Sequence, residues 1–138
     1  MRGSTRAATT GVIVAMLVTA AASAASAPPL VRGSSGPLKA TLALSTRTPK
    51  INKLVPMSVT ATLNGKPAKA TAVYEFLFGG TVVSTQYPYN NKHYTFTGHY
   101  KDTLSFPANS LGFPLTFRVV VKAGGRTVNL DSTITSHK

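Results

Sequence analysis

The chain has 138 residues, of which 15 are Lys or Arg and only three are acidic, with no cysteine and no tryptophan, for a formal charge of +12. The missing cysteines exclude a disulfide-stapled scaffold. Glu75, Asp102 and Asp131 lie too far apart in sequence to suggest the paired-carboxylate chemistry of a hydrolase. So large a basic excess attracts anions without selecting among them, whether acidic cell-wall polymers, lipid headgroups, polysaccharides or stray nucleic acid, or else serves only solubility.

Met1 to Ala27 reads as a secretory signal. Arg2 and Arg6 form a positive start, Gly11 to Thr19 an uncharged apolar run, and the small residues beyond it supply cleavage sites of the A-x-A type. The run to Ala22 falls short of the roughly 20 apolar residues of a membrane-spanning helix, so cleavage is expected over an uncleaved anchor. Ala22 and Ala24 favour a cut after Ala24, whereas a cut after Ala27 would put Pro28 beside the scissile bond. Residues 1–24 are therefore expected to be a signal-peptide helix, leaving a chain with thirteen basic residues and a formal charge of +10. What remains, about 110 residues, suits one core and is too short for two. With no cysteine to carry a lipid, no second apolar span and no sorting tail after His137-Lys138, the expected destination is extracellular, by release or loose retention through charge.

Residues 25–37 are small, polar and proline-bearing, without a period, and are expected to be a flexible leader. From Leu38 onward, apolar residues alternate in short runs broken by Gly, Pro and Asn, the signature of strands. Leu38 to Ser45 places Leu38, Ala40, Leu42 and Leu44 on one face. Val55 to Leu63 does the same with Val55, Met57, Val59, Ala61 and Leu63, and Asn64-Gly65-Lys66-Pro67 ends it as a turn. Thr71 to Phe78 is apolar on both faces, which predicts a central strand. Gly79-Gly80 predicts a hairpin into Thr81 to Tyr87, a more polar run that suits an edge. Pro88 to Asp102 has no clear apolar face beyond a possible short strand at Tyr94 to Thr97. Thr103 to Phe106, Leu115 to Val121 and Arg126 to Ser136 complete the set, with a corner at Pro107 to Gly112 and a turn at Gly124-Gly125. The residues 38–138 are thus expected to be all-β, a single antiparallel sandwich of about seven strands.

The segments TLALSTRTPK, VPMSVTATLNGKPAKATAVYEFLFGG and SLGFPLTFRVVVKAGG resemble the immunoglobulin-like and fibronectin-type-III-like β-sandwich domains of secreted bacterial proteins. NGKP resembles their turn between the second and third strands. Leu111-Gly112-Phe113 before Phe117-x-Val119-x-Val121 resembles their corner before the sixth strand. The resemblance spans Leu38 to Ile134 and implies an immunoglobulin-like sandwich. The inter-sheet cysteine pair and core tryptophan of antibody-type domains are absent, Phe113 stands where a corner tyrosine would be, and Tyr74 or Phe76 is expected to fill the tryptophan's volume.

Catalytic patterns are missing: there is no Gly-x-Ser-x-Gly elbow and no phosphate-binding glycine loop, and each Gly-Gly pair is explained as a turn. Glu75 reads as a strand-borne charge paired with a neighbouring Lys or Arg, or else as a ligand contact on the sheet face. His93 and His99 are six residues apart, about 20 Å along an extended strand at about 3.3 Å per residue, too far to share a metal ion unless Gly98 folds the chain back. His137 is expected in a frayed tail. No enzyme activity, cofactor or metal is expected. The functional candidate is an aromatic segment in which Tyr87, Tyr89, Lys92, His93, Tyr94, His99, Tyr100 and Lys101 combine flat rings, suited to sugars or protein surfaces, with cations for acidic groups. The alternative for these tyrosines is to cap the open end of the sandwich. The expected function is a secreted binding module for an acidic cell-wall polymer, glycan or protein partner, with no specific nucleic acid. The alternative is an exported structural domain with no ligand of its own.

Overall fold

The computed structural model describes Gly3 and residues 30–138; the expected signal-peptide helix lies outside the described residues. Among the described residues, ten antiparallel strands follow one another: β1 (Leu30–Ser35), β2 (Leu38–Leu44), β3 (Leu54–Leu63), β4 (Lys66–Pro67), β5 (Lys69–Phe78), β6 (Thr81–Gln86), β7 (Thr95–Thr97), β8 (His99–Ser105), β9 (Pro114–Ala123) and β10 (Arg126–Thr135). Single 3-10 turns occupy Pro88–Asn90 and Ala108–Ser110.

The period-two pattern decides which side chains face inward. In β2 the residues Leu38, Ala40, Leu42 and Leu44 are all buried, and β3 matches them with Val55, Met57, Val59 and Ala61. One sheet runs β1-β2-β3, with β4 and β8 both pairing along the far side of β3. The other runs β10-β9-β5, with β6 and β7 sharing the far side of β5. The two sheets close on one core as an antiparallel β-sandwich. Across that core the order β2-β3-β8 faces the order β10-β9-β5-β6.

No disulfide or tryptophan fixes the centre, and a group of rings takes that place. Phe117 lies 5.5 Å from Tyr74 and 5.2 Å from Phe76, and Phe76 meets Phe106 edge-on at 5.9 Å. Both Tyr74 and Phe76 therefore fill the central volume. Phe113 does not act as a corner residue; it is 53% exposed and packs edge-on against Phe78.

Two of the places where the chain crosses between sheets are bonded to each other. Ala68, between β4 and β5, accepts a hydrogen bond from the amide of Gly98, between β7 and β8, at 2.9 Å, and the Gly98 carbonyl accepts from Ala61. Gly98 has φ +79 and a Cβ there would lie 3.0 Å from the Pro67 Cβ, so the crossing needs a glycine.

Three expectations need correction. Residues 30–35 of the expected leader form β1, paired with β2 from Leu30↔Ala43 to Ser35↔Leu38. In place of about seven strands ten are described, because β1 and the short β4 are added and the possible short strand at Tyr94 to Thr97 forms as β7, while the strand expected from Thr103 begins at His99 inside the stretch read as irregular. The His137 tail is not frayed. Its amide donates to Pro49 and its carbonyl accepts from Ile51, while the buried Ser136 hydroxyl donates to the Ser110 carbonyl at 2.9 Å.

β1 escaped the sequence pattern because what seats it is the absence of a side chain. Gly33 lies so near β10 that an added Cβ would stand 2.6 Å from the Val128 Cγ1 and 3.1 Å from the Leu130 Cδ2. Val128 is β-branched and buried, so it yields little. Gly33→Val is therefore expected to cost about 1–3 kcal/mol through overpacking. Urea unfolding measures this, and an unchanged midpoint would show that the contact between β1 and β10 adds nothing to the fold.

Candidate functional site

The aromatic segment divides into a buried part and an exposed part. Tyr100 faces inward from β8 and is buried, with its hydroxyl enclosed and unpartnered near the Tyr74 phenol. Phe96 of β7 lies 4.7 Å from it. Tyr94 is half-buried and bridges outward, 5.1 Å from Tyr100 and 5.3 Å from Tyr89. Tyr87 is half-buried, whereas Tyr89, Lys92, His93, His99 and Lys101 are exposed. The segment thus closes one end of the core, and Tyr100 is unavailable to a ligand.

What holds the segment is the edge of β8. The Tyr89 hydroxyl donates to the Lys101 carbonyl, and the Asp102 carboxylate accepts from the Tyr74 hydroxyl at 2.8 Å and from the Tyr89 amide at 3.4 Å. Tyr89 reaches these partners in a left-handed conformation, φ +52, which side-chain-bearing residues rarely adopt. The 3-10 turn at Pro88–Asn90 therefore covers β8 and satisfies part of its backbone. A shallow hollow bounded by Pro56, Met57, Tyr89, Lys101, Asp102 and Thr103 lies beside it.

Among the described residues, no three His, Asp or Glu side chains gather as a metal site. Glu75 projects from the outer face of β5, in register with Arg118 of β9, which in turn faces Asp131 of β10. Arg118 donates to Asp131 through Nε at 2.8 Å and Nη2 at 3.0 Å. The Asp131 hydrogen bond, helped by the Glu75 charge, holds the guanidinium pKa above its ordinary value. Glu75 is thus one end of a cross-strand row of charges.

A larger site lies where sequence reasoning did not look. Between β6 and the corner after β8 the sheets part to leave an open groove of about 510 Å³. Phe76 and Phe78 of β5, Phe106, Phe113 and Leu115 line it, with Val83 of β6 on the near wall. Its polar lining consists of Ser84, Gln86, Ser105, Asn109 and Ser110, with no charged residue. The register of β5 and β6 slips between Phe76 and Leu77, so that Val83 is an extra residue and both it and Ser84 line the groove. Phe78, Val83 and Phe113 remain 47%, 59% and 53% exposed. The signal in the sequence was the run of apolar residues at the end of β5 and start of β6, beyond what an edge hairpin needs.

The chain matches no protein-family model and no curated protein.

The buried phenols give the fold a pH limit. Burial pushes Tyr74 far above the ordinary tyrosine value, reinforced by Tyr100 and Asp102, and burial also raises Tyr100 and Tyr94. Such a group keeps its proton in the fold but loses it near pH 10 when unfolded. Its contribution is complete below that pH and declines above it, by up to about 1.4 kcal/mol per pH unit per phenol. An alkaline titration of tyrosinate absorbance should therefore show Tyr74 and Tyr100 ionising only as the chain unfolds. Their double replacement by Phe should remove that late step, whereas one reversible transition of all five tyrosines near pH 10 would contradict it.

Proposed function

We propose that the chain is a secreted, non-enzymatic β-sandwich module of the immunoglobulin-like kind that binds a partner at the cell surface or in its surroundings. The observation that carries this reading is the groove: an apolar concavity of about 510 Å³, rimmed by neutral hydrogen-bonding groups and free of charge. Such a size and lining suit a ligand held by burial and oriented by a few polar contacts. Exposed apolar rings this close together are unusual on a surface with no role. Export rests on the Arg2, Arg6 and Gly11 to Ala24 pattern.

A second reading places recognition at Tyr89, Lys92, His93 and Lys101, where the left-handed Tyr89 presents a ring that is 59% exposed. That surface suits a glycan or an acidic cell-wall polymer. One experiment separates the two. Nile red, an uncharged apolar dye, is expected to bind the folded chain saturably. Phe78→Ser and Phe113→Ser should each weaken it about tenfold, the loss of roughly 1.4 kcal/mol of apolar contact, without lowering the melting temperature. Tyr89→Ala should leave the dye unaffected. Dye binding indifferent to both phenylalanines, together with glycan retention lost in Tyr89→Ala, would move the function to the loop.

A further inference from the structure

A two-sheet sandwich has four edges, and here three are covered. β1 and β10 lie against each other across one seam, close enough that Gly33 admits no side chain. The β8 edge carries the Pro88–Asn90 turn, fixed by the Tyr89 hydroxyl on the Lys101 carbonyl. β6 is different. All six of its residues are exposed, and among the described residues its backbone bonds only to β5. The segment TVVSTQ contains no charge and no proline, the usual protections of a bare edge, and its one irregularity turns Val83 into the groove.

We propose that β6 is the docking edge for an extended segment of a partner protein, which adds as a further strand, sets alternate apolar side chains into the groove, and carries acidic residues beside them. This rests on the groove being the binding site, and it identifies the occupant. A small apolar ligand would use the groove and leave the β6 backbone unpaired; a strand uses both, with main-chain bonds for affinity and alternate pockets for selectivity.

The acidic flank follows from what borders the groove. The Phe106 carbonyl on its wall accepts from the Asn52 amide at 2.8 Å, and Ser110 is bonded to Ser136 at 2.9 Å. These contacts bring the 45–53 connection and Ser136 against Phe106 and Ser110 of the groove wall, and Arg47, Lys50, Lys53 and Lys138 in and beside those segments are exposed. Of the three carboxylates, Glu75 and Asp131 flank Arg118 on the outer face of the second sheet, and Asp102 is bonded to Tyr74. A second copy would meet β6 with the same uncharged strand and the same +10 excess, so self-pairing has charge against it.

The test is to pan a randomised decapeptide display library against the intact folded chain, with the Val83→Lys variant as counter-selection. Enriched peptides should alternate apolar and polar residues next to Asp or Glu. A synthesised winner should lose at least tenfold in affinity when alternate backbone amides are N-methylated on one edge, and similarly against Val83→Lys. Amide exchange at residues 81–86 should slow on binding. Enrichment without alternation, indifference to N-methylation, or a chain dimer dispersed by Val83→Lys would each overturn the proposal. If no peptide is enriched while Nile red still binds through Phe78 and Phe113, strand addition fails and the groove stands. If the dye also fails, the groove reading falls with it.

Discussion

Each strand at the margin of a sheet carries a row of amide and carbonyl groups with no partner, and this constraint organises much of the molecule. Buried without bonds, each such group costs free energy; exposed, it is a template for another chain. The fold meets the problem by different means at different margins. One seam is closed by bringing two strands so near that a glycine is required. Another is closed by the turn at Pro88–Asn90, whose aromatic residue, Tyr89, is held in a backbone conformation that opposes its own side chain. Through Tyr89 the turn also packs on Tyr94, which joins Phe96 and Tyr100 at one end of the core.

Stability without disulfides then falls to the interior. The inward faces of β2, β3, β5, β9 and β10 form one continuous apolar layer, with Phe117 at its centre between two other rings. Polar exceptions are the Ser132 hydroxyl of β10, buried without a partner among the described residues, and the Tyr74 phenol, which reaches Asp102 at the margin of this layer. A carboxylate half-buried on an inward-facing position of β8 is tolerable because it accepts from that phenol and from the amides of Tyr89 and Thr103. The interaction ties both sheets to the covering turn.

How much of this could be read from the sequence depended on whether a strand announced itself by its own side chains. β2, β3, β9 and β10 did through clean alternation, and β5 did through apolar residues on both faces. β8 did not, since Asp102 falls between Tyr100 and Leu104 on the inward side and breaks the apolar period with a residue whose partner is distant in sequence. β1 was invisible for the opposite reason: its key position is a glycine, and the contact lies with Val128. Of the proposed aromatic site, composition correctly located the rings but could not divide the enclosed Tyr100 from the exposed Tyr89. For the groove the sequence offered only the surplus apolar residues at the end of β5 and start of β6; its shape comes from walls that β5, β6, the corner after β8 and the start of β9 supply together.

The pairing of the two ends of the described chain has a consequence in time as well as in space. The residue that seats β1 meets its partner nearly a hundred positions later, and the corner after β8 is bonded to Ser136. Closing so long a loop costs entropy before any contact repays it, and folds dominated by such distant pairings are slow to form. The β2-β3 and β9-β10 hairpins can assemble from local contacts, but the seam must wait for both. Until it closes, β1 and β10 are bare margins like β6, so the chain passes through a stage with more adhesive edge than the finished fold retains.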